Sequence, residues 1–154
     1  MTNNLIINLH GFNSAPGGKA EFLREHFGDS VVAPQLPIET KDALSITHAV
    51  IDRHQGANIH IVGTSLGGFY ALYVSLSRKE SNIFYHLINT PLTPHLDLAQ
   101  YEGQTLTNFK TGEPSFVSLS FIRSLEAMSS EIRGVMDKIA PEKYPFISSG
   151  QNCA

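Results

Sequence analysis

The sequence predicts an α/β fold, a mostly parallel sheet with helices on both faces, and three observations carry that reading. Apolar runs of strand length alternate with longer segments of helical periodicity, as in a parallel sheet covered on both sides. The run Ile59-His60-Ile61-Val62 passes through Gly63-Thr64-Ser65-Leu66-Gly67 directly into an apolar helix. An earlier run, Leu5-Ile6-Ile7-Asn8-Leu9, ends in His10-Gly11. The 154 residues are expected to form a single domain, 1–154, large enough to bury roughly 68 to 70% of its unfolded surface.

Taken in order, Leu5 to Leu9 is the first strand. Lys19, Phe22, Leu23, His26 and Phe27 then share one helical face, and Gly28 is a suitable stop. Val31-Val32-Ala33 is a short strand ended by Pro34. Thr40 is placed to cap a helix in which Ala43, Ile46 and Val50 recur at helical spacing, with Asp42 in the favourable first turn. After the third strand, Leu66, Phe69, Tyr70, Leu72, Tyr73 and Leu76 make a helix apolar on every side, and Ile83 to Ile88 reads as a buried strand. Residues 91–117 are irregular and cap-like, broken by Pro91, Pro94, Gly103, Gly112 and Pro114. There Tyr101, Phe109 and Phe116 either line an acyl pocket or anchor the segment to the core. Ile132, Val135, Met136 and Ile139 give an amphipathic helix ended before Pro141, with Met128 and Met136 as core filler.

Composition narrows the function classes. A net charge of -3 gives no electrostatic reason to expect nucleic acid or an anionic membrane as a partner. The single cysteine, Cys153, permits no internal disulfide and fits a reducing compartment. No leader-like or 20-residue apolar span occurs, so the expectation is a cytoplasmic protein.

The chemistry lies in the two loops. Gly63-x-Ser65-x-Gly67 between a strand and an apolar helix is the context of a nucleophile elbow, with Ser65 in a sharp turn that only flanking glycines leave room for. The helix beyond it points its free N–H groups at developing negative charge. An ordinary βα turn is the plainer alternative. His10-Gly11 at the end of the first strand is where a backbone N–H reaches an oxyanion, which makes the N–H groups of Phe12 and Leu66 the candidate donors. A plain turn with a buried, hydrogen-bonded histidine is again the alternative.

The series of motifs resembles one family. Leu9-His10-Gly11-Phe12-Asn13-Ser14, Pro34-Gln35-Leu36-Pro37, Val62-Gly63-Thr64-Ser65-Leu66-Gly67-Gly68-Phe69-Tyr70-Ala71, Asn89-Thr90-Pro91 and Phe109-x-Thr111-Gly112 occur in the order found in small bacterial α/β-hydrolases of the YqiA/YcfP esterase type, the UPF0227 group. The resemblance implies an α/β-hydrolase fold and a serine hydrolase acting on small carboxylic esters or thioesters. It implies no cofactor and no metal. In the family a Gly-Asp turn and a later Gly-x-His supply acid and base beyond the strand that starts here near Tyr144; this sequence has Gln151 after Gly150 and no histidine beyond His95. The expectation is therefore a C-terminally truncated hydrolase domain, its last strand weakened by Pro145.

Because the order in such enzymes is nucleophile, acid, base, the truncation removes the usual triad. His10 and His95 are the candidate substitute bases, since both follow strand ends on the side where the elbow opens. His26, His48, His54, His60 and His86 are assigned structural or surface roles. A catalytically impaired binding protein that keeps the pocket is one alternative function. Phosphate binding at Gly11 to Lys19 is another, although Asn13 and Ala20 depart from the P-loop pattern. Loss of a terminal strand would also expose a sheet edge and favour self-association.

Overall fold

A computed structural model of the chain describes residues 3–139. The expectations for Pro141, the strand near Tyr144, Pro145, Gln151 and Cys153 lie outside these residues. The elements are β1 (Asn4–Leu9), α1 (Gly18–Phe27), β2 (Val31–Val32), α2 (Thr40–Asp52), β3 (Asn58–Thr64), α3 (Leu66–Ser77), β4 (Ile83–Ile88), α4 (Pro94–Leu98), β5 (Thr105–Thr107), β6 (Pro114–Phe116) and α5 (Leu119–Met136).

Four strands form a parallel sheet in the order β2-β1-β3-β4. The chain steps outward from β1 to β2 and then back across β1 to β3. Right-handed crossovers therefore place α1 on one face and α2 and α3 on the other. The α2/α3 side holds the core. Leu5, Ile7, Leu9, Ile59, Ile61 and Ile83 alternate along their strands and pack with Phe69, Val74, Phe121 and Leu125 in one buried cluster. The register pairs Leu9 with Gly63, which brings the ends of β1 and β3, and hence their two loops, side by side.

Four sequence expectations change in three dimensions. The face of α1 carrying Phe22 and Phe27 is exposed, at 58% and 54%, and only Ala20 of that helix is buried. Helical spacing shows that an apolar face exists; it does not show that another element lies over it. Among the described residues β4 is the outermost strand of the sheet and is not fully buried, with Phe84, His86, Leu87 and Ile88 exposed. Thr40 does not cap α2: its hydroxyl donates to Ser124 Oγ at 2.8 Å, and Glu39 occupies the cap position with no side-chain bond to the helix N–H groups. The final helix begins far earlier than its apolar stripe suggested, at Leu119, where the Ser118 hydroxyl accepts from the Phe121 N–H at 2.9 Å. Ser118 Oγ also donates to Glu39 Oε1 at 2.9 Å. Ser118→Ala is expected to cost about 1 kcal/mol in a denaturant titration, since it uncaps α5.

Residues 91–117 are more regular than their prolines and glycines imply. They contain α4, a 3-10 turn at Ala99–Tyr101 and an antiparallel hairpin of β5 and β6. Gly103 and Gly112 take positive φ, at 75° and 77°, so each turn uses a conformation that glycine reaches without strain. Among the described residues no helix is long and apolar enough to cross a membrane.

Candidate active site

Ser65 stands between β3 and α3 with φ 52° and ψ -120°, a conformation costly for any residue with a β-carbon. Its surroundings enforce it. The Ser65 N–H donates to Ile88 O at 2.9 Å, and its carbonyl accepts from Phe69 N–H at 3.1 Å. Three glycines allow β1, β3 and α3 to close around the turn. A β-carbon on Gly63 would lie 2.6 Å from Gly68 Cα, one on Gly67 would lie 2.6 Å from the His10 carbonyl oxygen, and one on Gly68 would overlap the Thr90 hydroxyl. The serine side chain itself is exposed.

The loop after β1 comes up against this serine. A β-carbon on Gly11 would sit 3.4 Å from Ser65 Cβ and 3.9 Å from Ser65 Oγ, so the backbone entering Phe12 runs beside the hydroxyl. Neither the Phe12 N–H nor the Leu66 N–H has a hydrogen-bond partner among the described residues. Leu66 opens the twelve-residue α3, whose dipole adds to the pull on an anion there. Phe12 is held by stacking on Tyr101 and Phe121, each at 5.9 Å between ring centres.

The structure separates the two candidate bases from Ser65 in different ways. The His10 ring is fully engaged by backbone. Nε2 accepts from Leu36 N–H at 2.9 Å, which leaves the proton on Nδ1, and Nδ1–H donates to Gly11 O at 2.9 Å. Burial lowers the His10 pKa, partly opposed by the bond to the Gly11 carbonyl. His10 thus ties the oxyanion-side loop to the segment after β2. His95 lies on α4 with Nδ1 3.3 Å from Ser129 Oγ of α5 and does not line the cavity at Ser65.

A pH prediction follows from His10. Its folded pKa lies below the ordinary 6.5, so the unfolded chain binds the proton more tightly. The contribution is fully present above about pH 6.5 and is lost as pH falls through the lowered folded value. Thermal unfolding of His10→Gln between about pH 7.5 and pH 5 should show a smaller loss of Tm on acidification than the parent. Part of the slope will remain, because burial and Arg78 also lower the pKa of His48. An unchanged slope would remove His10 from the account.

Ser65 opens onto a cavity of about 800 Å³, bounded by the loop after β1, the start of α1 and the 97–110 segment. Sequence reasoning did not anticipate three of its charged residues in this role: Lys19, Asp97 and Lys110. Lys19 lies on α1, Asp97 on α4 and Lys110 in the turn between β5 and β6, so no local pattern connects them. Of the aromatics proposed for a pocket, Tyr101 and Phe109 line it, whereas Phe116 lines neither this cavity nor its neighbour and is 57% exposed. A second cavity of about 270 Å³ lies across the 10–14 loop and reaches Leu66 and Tyr70. Among the described residues no group of three or more His, Cys, Asp or Glu side chains is arranged to hold a metal ion.

Known structures resemble this arrangement. A candidate hydrolase from Agrobacterium vitis S4 superposes with a TM-score of 0.58 at 18% identity, over 82% of this chain and 61% of that one. A structure from work on LipS and LipT, two metagenome-derived lipolytic enzymes, gives 0.58 at 16% identity, over 85% of this chain and 67% of that one. The chain thus spans about three fifths of the Agrobacterium protein. At these identities the likeness establishes the fold, which is that of an α/β-hydrolase. The match of residues 5–131 takes in β1, both glycine-flanked loops and most of α5, and on it the chain belongs to UPF0227, an uncharacterised protein family.

Proposed function

We propose that this chain is a serine hydrolase of carboxylic esters or thioesters that works through an acyl-enzyme on Ser65. The observation that carries the reading is the strained Ser65 backbone, enforced by Gly63 and Gly67 and flanked by the Phe12 and Leu66 N–H groups, which have no partner among the described residues. The fold shared with hydrolytic enzymes supports it. In the proposed reaction Ser65 Oγ adds to the substrate carbonyl carbon, and the carbonyl oxygen takes the negative charge facing the Phe12 and Leu66 N–H groups. Collapse of that adduct breaks the bond to the alkoxide or thiolate, which leaves with the serine proton. Water then hydrolyses the acyl-serine, returning the enzyme and a carboxylic acid.

A second reading is favoured by the engaged His10 ring and by the position of His95 outside the cavity. It is a hydrolase-fold binding protein that retains the pocket and the oxyanion site and acylates slowly or not at all. Mass spectrometry after brief exposure to p-nitrophenyl acetate separates the two. An acetyl group on the Ser65 peptide is the expected result; a folded protein that carries none, or carries it elsewhere, overturns the hydrolase reading.

A further inference from the structure

The loop that carries the Phe12 N–H is fixed from both sides. Before Phe12, His10 Nδ1–H donates to the Gly11 carbonyl, which belongs to the same planar peptide group as the Phe12 N–H. After Phe12, the partner is the β5–β6 hairpin, 94 residues further along the chain. Asn13 Nδ2 donates to Thr107 O at 3.0 Å, and Asn108 Nδ2 donates to Ser14 O at 2.9 Å. Gln35 Nε2 adds a bond to the same Ser14 carbonyl, also at 3.0 Å.

Asn108 does more than shape its own turn. Its Oδ1 accepts from the N–H groups of Lys110 at 2.9 Å and Thr111 at 3.1 Å, which sets the amide orientation and leaves the amino group for Ser14. The turn is already closed by backbone, through Asn108 N–H to Glu113 O and Gly112 N–H to Asn108 O, both at 2.8 Å. The donation to Ser14 is therefore a link between segments rather than a requirement of the hairpin. Asn108 is only 6% exposed, although it lies at the end of a two-stranded hairpin outside the main sheet. A hydrogen bond sheltered in this way is stronger than one in water. Asn13 directly follows Phe12 and takes φ 48°, so Phe12 sits between a bonded carbonyl and a residue whose side chain is tied down.

We propose that the β5–β6 hairpin is a brace for the oxyanion site, with Asn13 and Asn108 as positioning residues that hold the Phe12 N–H in place for acyl transfer. This assignment deepens the hydrolase reading of Ser65 and rests on it. A donor already in place costs no reorganisation when charge develops on the carbonyl oxygen, whereas a displacement of about 1 Å can cost on the order of 10² in rate.

Asn108→Asp separates the link from the turn. One carboxylate oxygen still accepts from the Lys110 and Thr111 N–H groups, while the other, with no proton to donate, opposes the Ser14 carbonyl. Asn13→Asp does the same toward Thr107, at an exposed bond, and aspartate tolerates the left-handed backbone. Acetylation of Ser65 by p-nitrophenyl acetate, followed over time by mass spectrometry at several ester concentrations, gives a limiting rate and a half-saturating concentration. The expected result in each variant is a limiting rate lower by about tenfold or more with the half-saturating concentration unchanged. Circular dichroism checks that the variants fold; should the buried Asn108→Asp fail to, Asn13→Asp carries the test. In parallel, ¹⁵N relaxation should show the order parameter of the Phe12 amide falling in the variants from about 0.85, the value of rigid backbone. Folded variants acetylated at the parent's limiting rate, or altered only in the half-saturating concentration, overturn the brace and leave the hydrolase reading standing. A parent that carries no acetyl group on Ser65 overturns the hydrolase reading. The relaxation data then decide on the brace: an unchanged Phe12 order parameter overturns it as well, and a lowered one keeps the hairpin as the anchor of the loop.

Discussion

Ser65→Ala is expected to abolish acetylation of the elbow peptide by p-nitrophenyl acetate, read by mass spectrometry, with the fold unchanged. The substitution deletes the atom that forms the acyl bond in the proposed reaction, while the Phe12 and Leu66 N–H groups stay in place, so what remains should approach the activity of the oxyanion site and binding alone. Alanine keeps the β-carbon and therefore keeps the strain at φ 52°. Ser65→Gly removes the nucleophile and the strain together. It should be as inactive as Ser65→Ala but more stable by about 1 kcal/mol, or roughly 2–4 °C in Tm for a domain of this size. Equal activity in the parent and in both variants would show that Ser65 is not the nucleophile. Equal stability of the two variants would show that the turn is not strained.

The second large effect is on folding. Gly67→Ala is expected to cost at least about 3 kcal/mol and to lower Tm by roughly 10 °C, or to prevent folding altogether. The added methyl would overlap the Leu9 carbonyl oxygen and lie 2.6 Å from that of His10. These are backbone atoms at the end of β1, held by pairing to β3, so neither side can give way cheaply. Gly18→Ala is the control: a β-carbon there meets nothing within 4 Å, and the change should be nearly neutral. A Gly67→Ala protein with the parent's Tm would mean that the elbow and the end of β1 are not packed as described. The two experiments divide the labour of the loop, since Ser65 tests its chemistry and Gly67 the packing that strains it.

The strand and helix order was legible in the sequence because each element obeys a local period. Ile59 and Ile61 alternate with His60 and Val62, and burial follows that alternation along β3. The proximity of the two loops was also legible, through the motif order, although its measure is long-range: Leu9 pairs with Gly63 in a register that no window of sequence displays. The misreadings have the same root. Phe22 and Phe27 have helical spacing, and Ile83 to Ile88 has strand composition, but whether something covers them depends on elements distant in the chain. Ser118 caps a helix whose start the apolar stripe did not reveal.

The sequence by itself determined the α/β order of elements, the glycine-serine-glycine turn and the family, because these rest on residue type and short spacing. Only the tertiary structure decided that both ring nitrogens of His10 are bound by backbone, that His95 is turned to Ser129, and that Lys19, Asp97 and Lys110 line the cavity onto which Ser65 opens. It alone left the Tyr70 hydroxyl and Asn13 Oδ1 buried with no partner among the described residues. A hydrogen-bond partner or a cavity wall is a fact about atoms brought together from separate segments by packing, and local periodicity carries no record of it.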